Sequence, residues 1–248
     1  MSTIINNNAI TKMYKGDTPI YSFSINSGGG TPTKIDVAAN GIKFGNSTFS
    51  EIPDIYNFEN VTDMGNMFRG CSSLTTIPEI NTSNVTDMGY MFYNCENLTT
   101  ISPIDTSNVT SMYSMFDGCV NLTTIPPLDT SNVTDMESMF YYCSSLQSIP
   151  LLDCGNVTNM NSFFGWSNID TLTDLGGFKY LKISINSDFL DRCPNLTTDS
   201  LMNVINYLYD LTTNGLSGQS LKLGSTNLNK LTAEQIAVAT AKGWTLTA

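Results

Sequence analysis

Histidine is absent from all 248 residues of the chain. That removes the commonest general base and the commonest zinc ligand, so an enzyme on this sequence would have to use carboxylates, cysteine or lysine. Charge is scarce: charged residues make up 13% of the chain, and 11 basic residues face 22 acidic ones. The formal net charge of −11 leaves no electrostatic footprint for nucleic acid or anionic lipid headgroups. No stretch approaches the ~20 apolar residues of a membrane span. The opening, MSTIINNNAITKMYKGD, has no basic segment followed by an apolar run, so no secretory signal is expected. Cys-x-x-Cys pairs and dense Gly/Asp nonapeptides are missing too, which argues against a zinc site and a calcium roll. No metal and no cofactor is implied.

The chain does carry a repeat. Asn-Val-Thr recurs at Asn60, Asn84, Asn108, Asn132 and Asn156, in steps of 24 residues. The same phase carries Met64, Met88, Met112, Met136 and Met160, then Met67, Met91, Met115 and Met139, with Phe163 in the fifth copy. Beside these stand Phe68, Phe92, Phe116, Phe140 and Phe164. Cys71, Cys95, Cys119 and Cys143 follow, with Ser167 in the fifth place. A Leu-x-x-Ile unit then opens at Leu74, Leu98, Leu122 and Leu146.

Each unit reads as two elements. Leu74–Ile77 is short and Thr-rich and ends at Pro78, which suits a brief strand. Asn81-Thr82-Ser83-Asn84 is turn chemistry. The spacing predicts a helix capped by Asn84, with Asp87 in its first turn and Val85, Met88, Met91, Phe92 and Cys95 on one face. One unit cannot bury both faces, so the copies must stack. The expected fold is an α/β solenoid, with a parallel β ladder on one face and short helices on the other.

The frame sets the expected boundaries. Residues 1–32 form an N-terminal attachment segment, with a strand over Ile20–Ile25 and a Gly-rich linker over Ser27–Pro32. Residues 33–58 form a cap with a hairpin about Asn40-Gly41, residues 59–169 the five repeats, and residues 170–248 divergent repeats and a cap. In the last part we expect a strand over Leu181–Ile185, a helix over Asp199–Leu211 and a strand over Leu221–Leu223. A capping box at Thr232–Gln235 should open a helix that stops at Gly243, before a strand over Trp244–Leu246.

The units IPEINTSNVTDMGYMFYNCENLT and IPPLDTSNVTDMESMFYYCSSLQS closely resemble the BspA-like leucine-rich-repeat family. The likeness covers roughly residues 45 to 166 and extends to a closing segment from Leu196 to Ala248. It implies a leucine-rich-repeat solenoid used for adhesion or recognition, and it supplies no catalytic residues. The opening ITKMYKGDTPIYSF is similar to short modules of structural proteins in phages of gut bacteria, which implies a viral structural protein.

Candidate sites follow from the rows. The four in-register cysteines stand on the apolar face and read as buried free thiols rather than a metal or disulfide row; Cys154 and Cys193 fall outside the frame. Asn81, Asp105, Asp129 and Asp153 read as Asx turns at the strand exit. Two Thr rows, Thr75, Thr99, Thr123 and Thr76, Thr100, Thr124, read as exposed strand residues, with ligand binding the alternative. Positions that vary inside the fixed frame are the most informative. Tyr90, Tyr93, Tyr113, Tyr141, Tyr142 and Trp166 are candidate ligand-binding residues on the convex face, with packing between repeats as the alternative, favoured for Tyr142 and Trp166. The Asn-x-Ser/Thr sequons are by-products of the repeat.

The expected function is therefore a non-enzymatic recognition or attachment module. One setting is a phage virion: a tail fibre, receptor-binding or decoration protein, assembled with virion proteins or with itself through the N-terminal segment. The alternative is a bacterial cell-surface adhesin. The ligand would be a protein or glycan on a bacterial or host surface, with no nucleic acid and no membrane insertion.

Overall fold

The computed structural model describes residues 13–15, 18–20, 35–37, 42–45, 50–52, 56–165, 168–185 and 189–248. β1 (Met13–Lys15) pairs antiparallel with β2 (Thr18–Ile20). β3 (Ile35–Asp36), β4 (Ile42–Lys43) and β5 (Tyr56–Asn57) follow. β4 pairs antiparallel with β1, which joins that part of the N-terminal segment to the cap by backbone hydrogen bonds. β3 pairs parallel with β5. The described residues of both arms of the expected hairpin thus pair with other strands. Ile35 sits in register with Tyr56, one unit further on, and Val37 beside it is buried. Asn40-Gly41, the Gly-rich linker and residues 21–25 lie outside the described residues.

The repeats pair with one another through two parallel ladders. β6 (Thr76–Ile77) lies in register with β7 (Thr100–Ile101), and Thr124 bridges Ser148. A second row of bridges links Asp63, Asp87, Ser111, Asp135 and Asn159 in turn. β8 (Ser148–Ile149) and β9 (Leu152–Asp153) pair parallel with β10 (Asp174–Leu175) and β11 (Phe178–Lys179). The register steps from Thr76 to Thr100 inside the repeats but from Ser148 to Asp174 beyond them, so the spacing lengthens where the sequence frame breaks.

The Met/Phe/Cys stretch corrects the helix expectation. Among the described residues it is a chain of turns. Alternate amides reach across to the next unit: Met64 to Asp87 O (3.0 Å), Asn66 to Gly89 O (2.9 Å), Phe68 to Met91 O (3.0 Å) and Gly70 to Tyr93 O (2.7 Å). The amides between them close four-residue turns within the unit, as from Met67 to Met64 O and from Cys71 to Phe68 O, both 3.0 Å. The third residue of these turns carries a positive φ, 60° at Asn66 and 70° at Gly70. A type II turn requires that geometry, and it interrupts any α-helix. Gly65, Asn66, Gly70, Gly89 and Asn94 are also poor helix formers.

Turn arc and helix bury the same side chains, so the interior is as the frame implies. Met64, Met88, Met112, Met136, Phe68, Phe92, Phe116, Phe140, Cys71, Cys95, Cys119 and Cys143 are all fully buried, in one hydrophobic cluster running from Val37 to Trp244. The phenyl rings stack unit on unit, 5.3 Å from Phe44 to Phe68 and 5.6 Å for each step to Phe92, Phe116 and Phe140. Phe164 continues the row at 6.4 Å from Phe140, and Phe163 meets Phe140 edge-on. Each thiol donates to the carbonyl of a phenylalanine in the unit before: Cys71 to Phe44, Cys95 to Phe68, Cys119 to Phe92 and Cys143 to Phe116, all at 3.1 Å. Cys154 and Cys193 are buried as well.

Three α-helices lie in the C-terminal part. α1 (Thr198–Tyr207) is capped by Thr197, whose hydroxyl accepts from Ser200 N, and buries Leu201, Val204 and Ile205. β12 (Gln219–Lys222) is followed by the short α2 (Ser225–Leu228) and by α3 (Ala233–Ala241). The capping box of α3 is present, with Gln235 N donating to Thr232 Oγ1 and Thr232 N to Gln235 Oε1. Gly243, at φ 85°, turns the chain into β13 (Trp244–Thr247), which pairs parallel with β12. Of the strand expected over Leu181–Ile185, only Ile185 bridges, to Leu221. Among the described residues no helix is long and apolar enough to cross a membrane.

Candidate recognition groove

The row Asp63, Asp87, Ser111, Asp135 forms the floor of a groove of about 340 Å³, with Tyr90 and Tyr113 on its wall and Lys43 at one end. The floor follows from the turn chemistry. Asp63 Oδ1 accepts from Gly65 N and Asp87 Oδ1 from Gly89 N, both at 2.7 Å, and Asp135 Oδ1 accepts from Glu137 N at 3.0 Å. Asp87 therefore caps a turn, not a helix. A Cβ at Gly65 would come within 2.9 Å of Asp63 Oδ1, so glycine lets the carboxylate close the turn. Lys43 Nζ donates to Gly65 O at 2.8 Å.

The wall is an aromatic cluster. Tyr90 meets Tyr93 at 5.5 Å and Tyr113 at 4.9 Å, both edge to face. The Arg69 guanidinium lies over both rings of the first pair, 5.2 Å from Tyr90 and 4.7 Å from Tyr93. A hydroxyl hydrogen bond to Tyr90, helped by partial desolvation, pushes the Tyr113 phenol up to about 12. Nearby Asp117 is pushed up to about 6 by burial, against the opposing pull of the Ser114 hydroxyl and Arg69.

Tyr90, Tyr93 and Tyr113 thus come together. Tyr141 and Tyr142 form a separate edge-to-face pair at 4.8 Å, and Tyr142 is 44% exposed. A Cβ at Gly165 would overlap the Tyr141 ring, so Tyr141 packs on the next unit. Trp166 lies outside the described residues. Arg69, Lys43 and the Asp63–Asp135 row were not singled out as site residues from the sequence. The signal for the row was the shared phase of three aspartates, of which the helix reading takes Asp87 as a first-turn charge.

Most of the other rows hydrogen-bond within and between units. Asn81, Asp105 and Asp129 accept from the amides of Ser83, Ser107 and Ser131 at 3.0–3.1 Å, and Asp153 accepts from Gly155 N at 2.9 Å. Hydrogen bonds from the serines hold Asp105 and Asp129 below the usual carboxylate range. Asn84, Asn108, Asn132 and Asn156 do not cap helices; each side-chain amide donates to a carbonyl of the preceding unit at 2.7–2.9 Å. Thr99 and Thr123 donate to the Thr75 and Thr99 carbonyls in the same way. Among the described residues no three Cys, Asp or Glu side chains converge to hold a metal ion.

The description "Mycoplasma protein of unknown function, DUF285" belongs to a family that matches residues 40–124, 62–173 and 119–201. The chain belongs to this family. The overlapping matches follow the stacked units, in keeping with a BspA-like repeat. They begin at residue 40 and do not reach the segment that resembles phage modules, so that likeness gains no support from them. No curated protein matches the chain.

Proposed function

We propose that the chain is a non-enzymatic recognition module, a leucine-rich-repeat solenoid that binds its ligand in the groove along Asp63–Asp135. The observation that carries this reading is Tyr90. Other units place Asn66, Ser114, Ser138 and Ser162 at its position, and all five take a positive φ. A bulky side chain there is strained by roughly 1–2 kcal/mol, a cost that glycine and asparagine largely avoid. The frame does not require an aromatic ring, yet one stands at the groove wall against Tyr113.

The non-enzymatic reading is supported by how the candidate groups are spent. The in-frame aspartates close turns, and burial drives the thiols up, away from a reactive thiolate. Titrating labelled full-length chain onto intact bacterial and epithelial cells tests the proposal. Saturable binding that weakens about tenfold in Tyr113→Ala supports it. Equal binding by the variant would place recognition elsewhere.

Two settings suit such a module. The family matches over residues 40–201 favour a bacterial surface adhesin, and the likeness of ITKMYKGDTPIYSF to phage modules favours a virion tail or decoration protein. In a virion the partners would be other virion proteins or a second copy, met through the N-terminal segment. Antibody labelling in the electron microscope separates the two: gold on cell envelopes supports the adhesin, gold on phage particles the virion protein.

A further inference from the structure

The chemistry of the groove narrows its ligand, on the premise that the groove is the recognition site. Asp63, Asp87 and Asp135 each spend Oδ1 on a backbone amide, and among the described residues none of them forms an ion pair. Each keeps Oδ2 as an acceptor, and Ser111 adds a hydroxyl to the same row. With a net charge of −11 on the chain and carboxylates on the floor, an anionic ligand is repelled.

Part of the pull of these carboxylates on a cationic ligand is offset by cations already in place. The Arg69 guanidinium lies over the Tyr90 and Tyr93 rings at 5.2 and 4.7 Å. Lys43 adds a second fixed cation at the groove end. The ligand that fits donates hydroxyls to single carboxylate oxygens and lays a C–H face on Tyr113. The acceptors recur along the stack, so the ligand is extended: Asp63 to Asp135 covers three unit steps, or roughly 14 Å at parallel-strand spacing.

We propose that the groove binds a neutral glycan chain, lying along the stack with its hydroxyls on Asp63, Asp87 and Asp135 and one sugar face on Tyr113. The test uses the full chain against immobilised neutral oligosaccharides (glucan, mannan, galactan and N-acetylhexosamine oligomers), with polylysine and heparin as charged probes. The expected result is saturable binding to a neutral oligosaccharide that changes little with added salt. Asp87→Asn, which retains an oxygen for Gly89 N, and Tyr113→Ala should each weaken it about tenfold. Tyr180→Ala, outside the groove, should leave it unchanged, and circular dichroism confirms that each variant is folded. Salt-sensitive binding to polylysine or heparin alone overturns the proposal. So does the absence of neutral-glycan binding; if groove-dependent cell binding then persists, the recognition reading survives and only the glycan assignment falls.

Discussion

The Cys95 thiol donates to the carbonyl oxygen of Phe68 at 3.1 Å, across the boundary between two repeat units. The same bond recurs at Cys71, Cys119 and Cys143, so the cysteine row is a hydrogen-bonded seam as well as apolar filling. Burial pushes the Cys95, Cys119, Cys143, Cys154 and Cys193 thiols up, which withholds the thiolate that electrophiles need. A disulfide-exchange reagent at mild alkaline pH should therefore leave all six cysteines of the native chain unlabelled and titrate six after denaturation. Stoichiometric labelling before unfolding would show that the seam is open.

Tyr142 occupies a left-handed position, φ 57°, that Gly70, Asn94 and Gly118 fill in other units. Tyr142→Asn should hold or slightly raise stability to urea. Tyr142→Val places a β-branched residue at positive φ and should lower stability by roughly 1–2 kcal/mol. Equal tolerance of the two would contradict the turn geometry.

Met88 is fully buried between the ladders. Met88→Asp puts an unpaired charge there and should cost about 3–5 kcal/mol or prevent folding, while Met88→Leu should cost less than about 1.5 kcal/mol. A melting temperature for the aspartate variant within a few degrees of wild type would place this side chain at the surface.

Asp117 gives a pH signature of definite sign. Its folded value of about 6 lies above the ordinary 3.8, so the folded chain holds the proton more tightly than the unfolded chain. The protonated carboxyl costs nothing below pH ~4, and the destabilisation grows through the window up to about 6 and stays in place above it. Asp117→Asn should therefore be more stable than wild type at pH 7.5, by roughly 1 kcal/mol after allowing for solvent screening of this half-exposed group. The difference should vanish near pH 4. A gain that is flat across pH would assign the effect to packing.

The interior was legible because turn arc and helix place the same residues inward. Met88, Met91, Phe92 and Cys95, spaced by three and four, satisfy both. The signs that distinguish them were local: Gly65 and Gly89 beside a carboxylate, and Asn66, Gly70, Asn94 and Gly118 at left-handed positions. Periodicity outweighs them and places Asp87 in the first turn of a helix. The groove was invisible for the same reason, since only the turn geometry sets Asp87 beside Tyr90 and Tyr113. Capping chemistry at Thr232 and the helix face of Leu201, Val204 and Ile205 were read correctly because each depends on neighbours within one or two turns. At the N-terminal cap the described residues of β3 and β4 pair with β5 and β1, partners distant in sequence that no local signal announces.

One excision tests the shared periodic interior most directly. Removing residues 108–131, one whole 24-residue unit, should bring Phe140 onto Phe92 as Phe116 stands now. The shortened chain should unfold in a single cooperative transition with a native-like circular dichroism spectrum. Removing only residues 108–119 breaks the register of every later unit and should leave the chain unfolded. If the half-unit deletion folds as well as the whole-unit deletion, or the whole-unit deletion is equally ruinous, the units do not share one stacked interior.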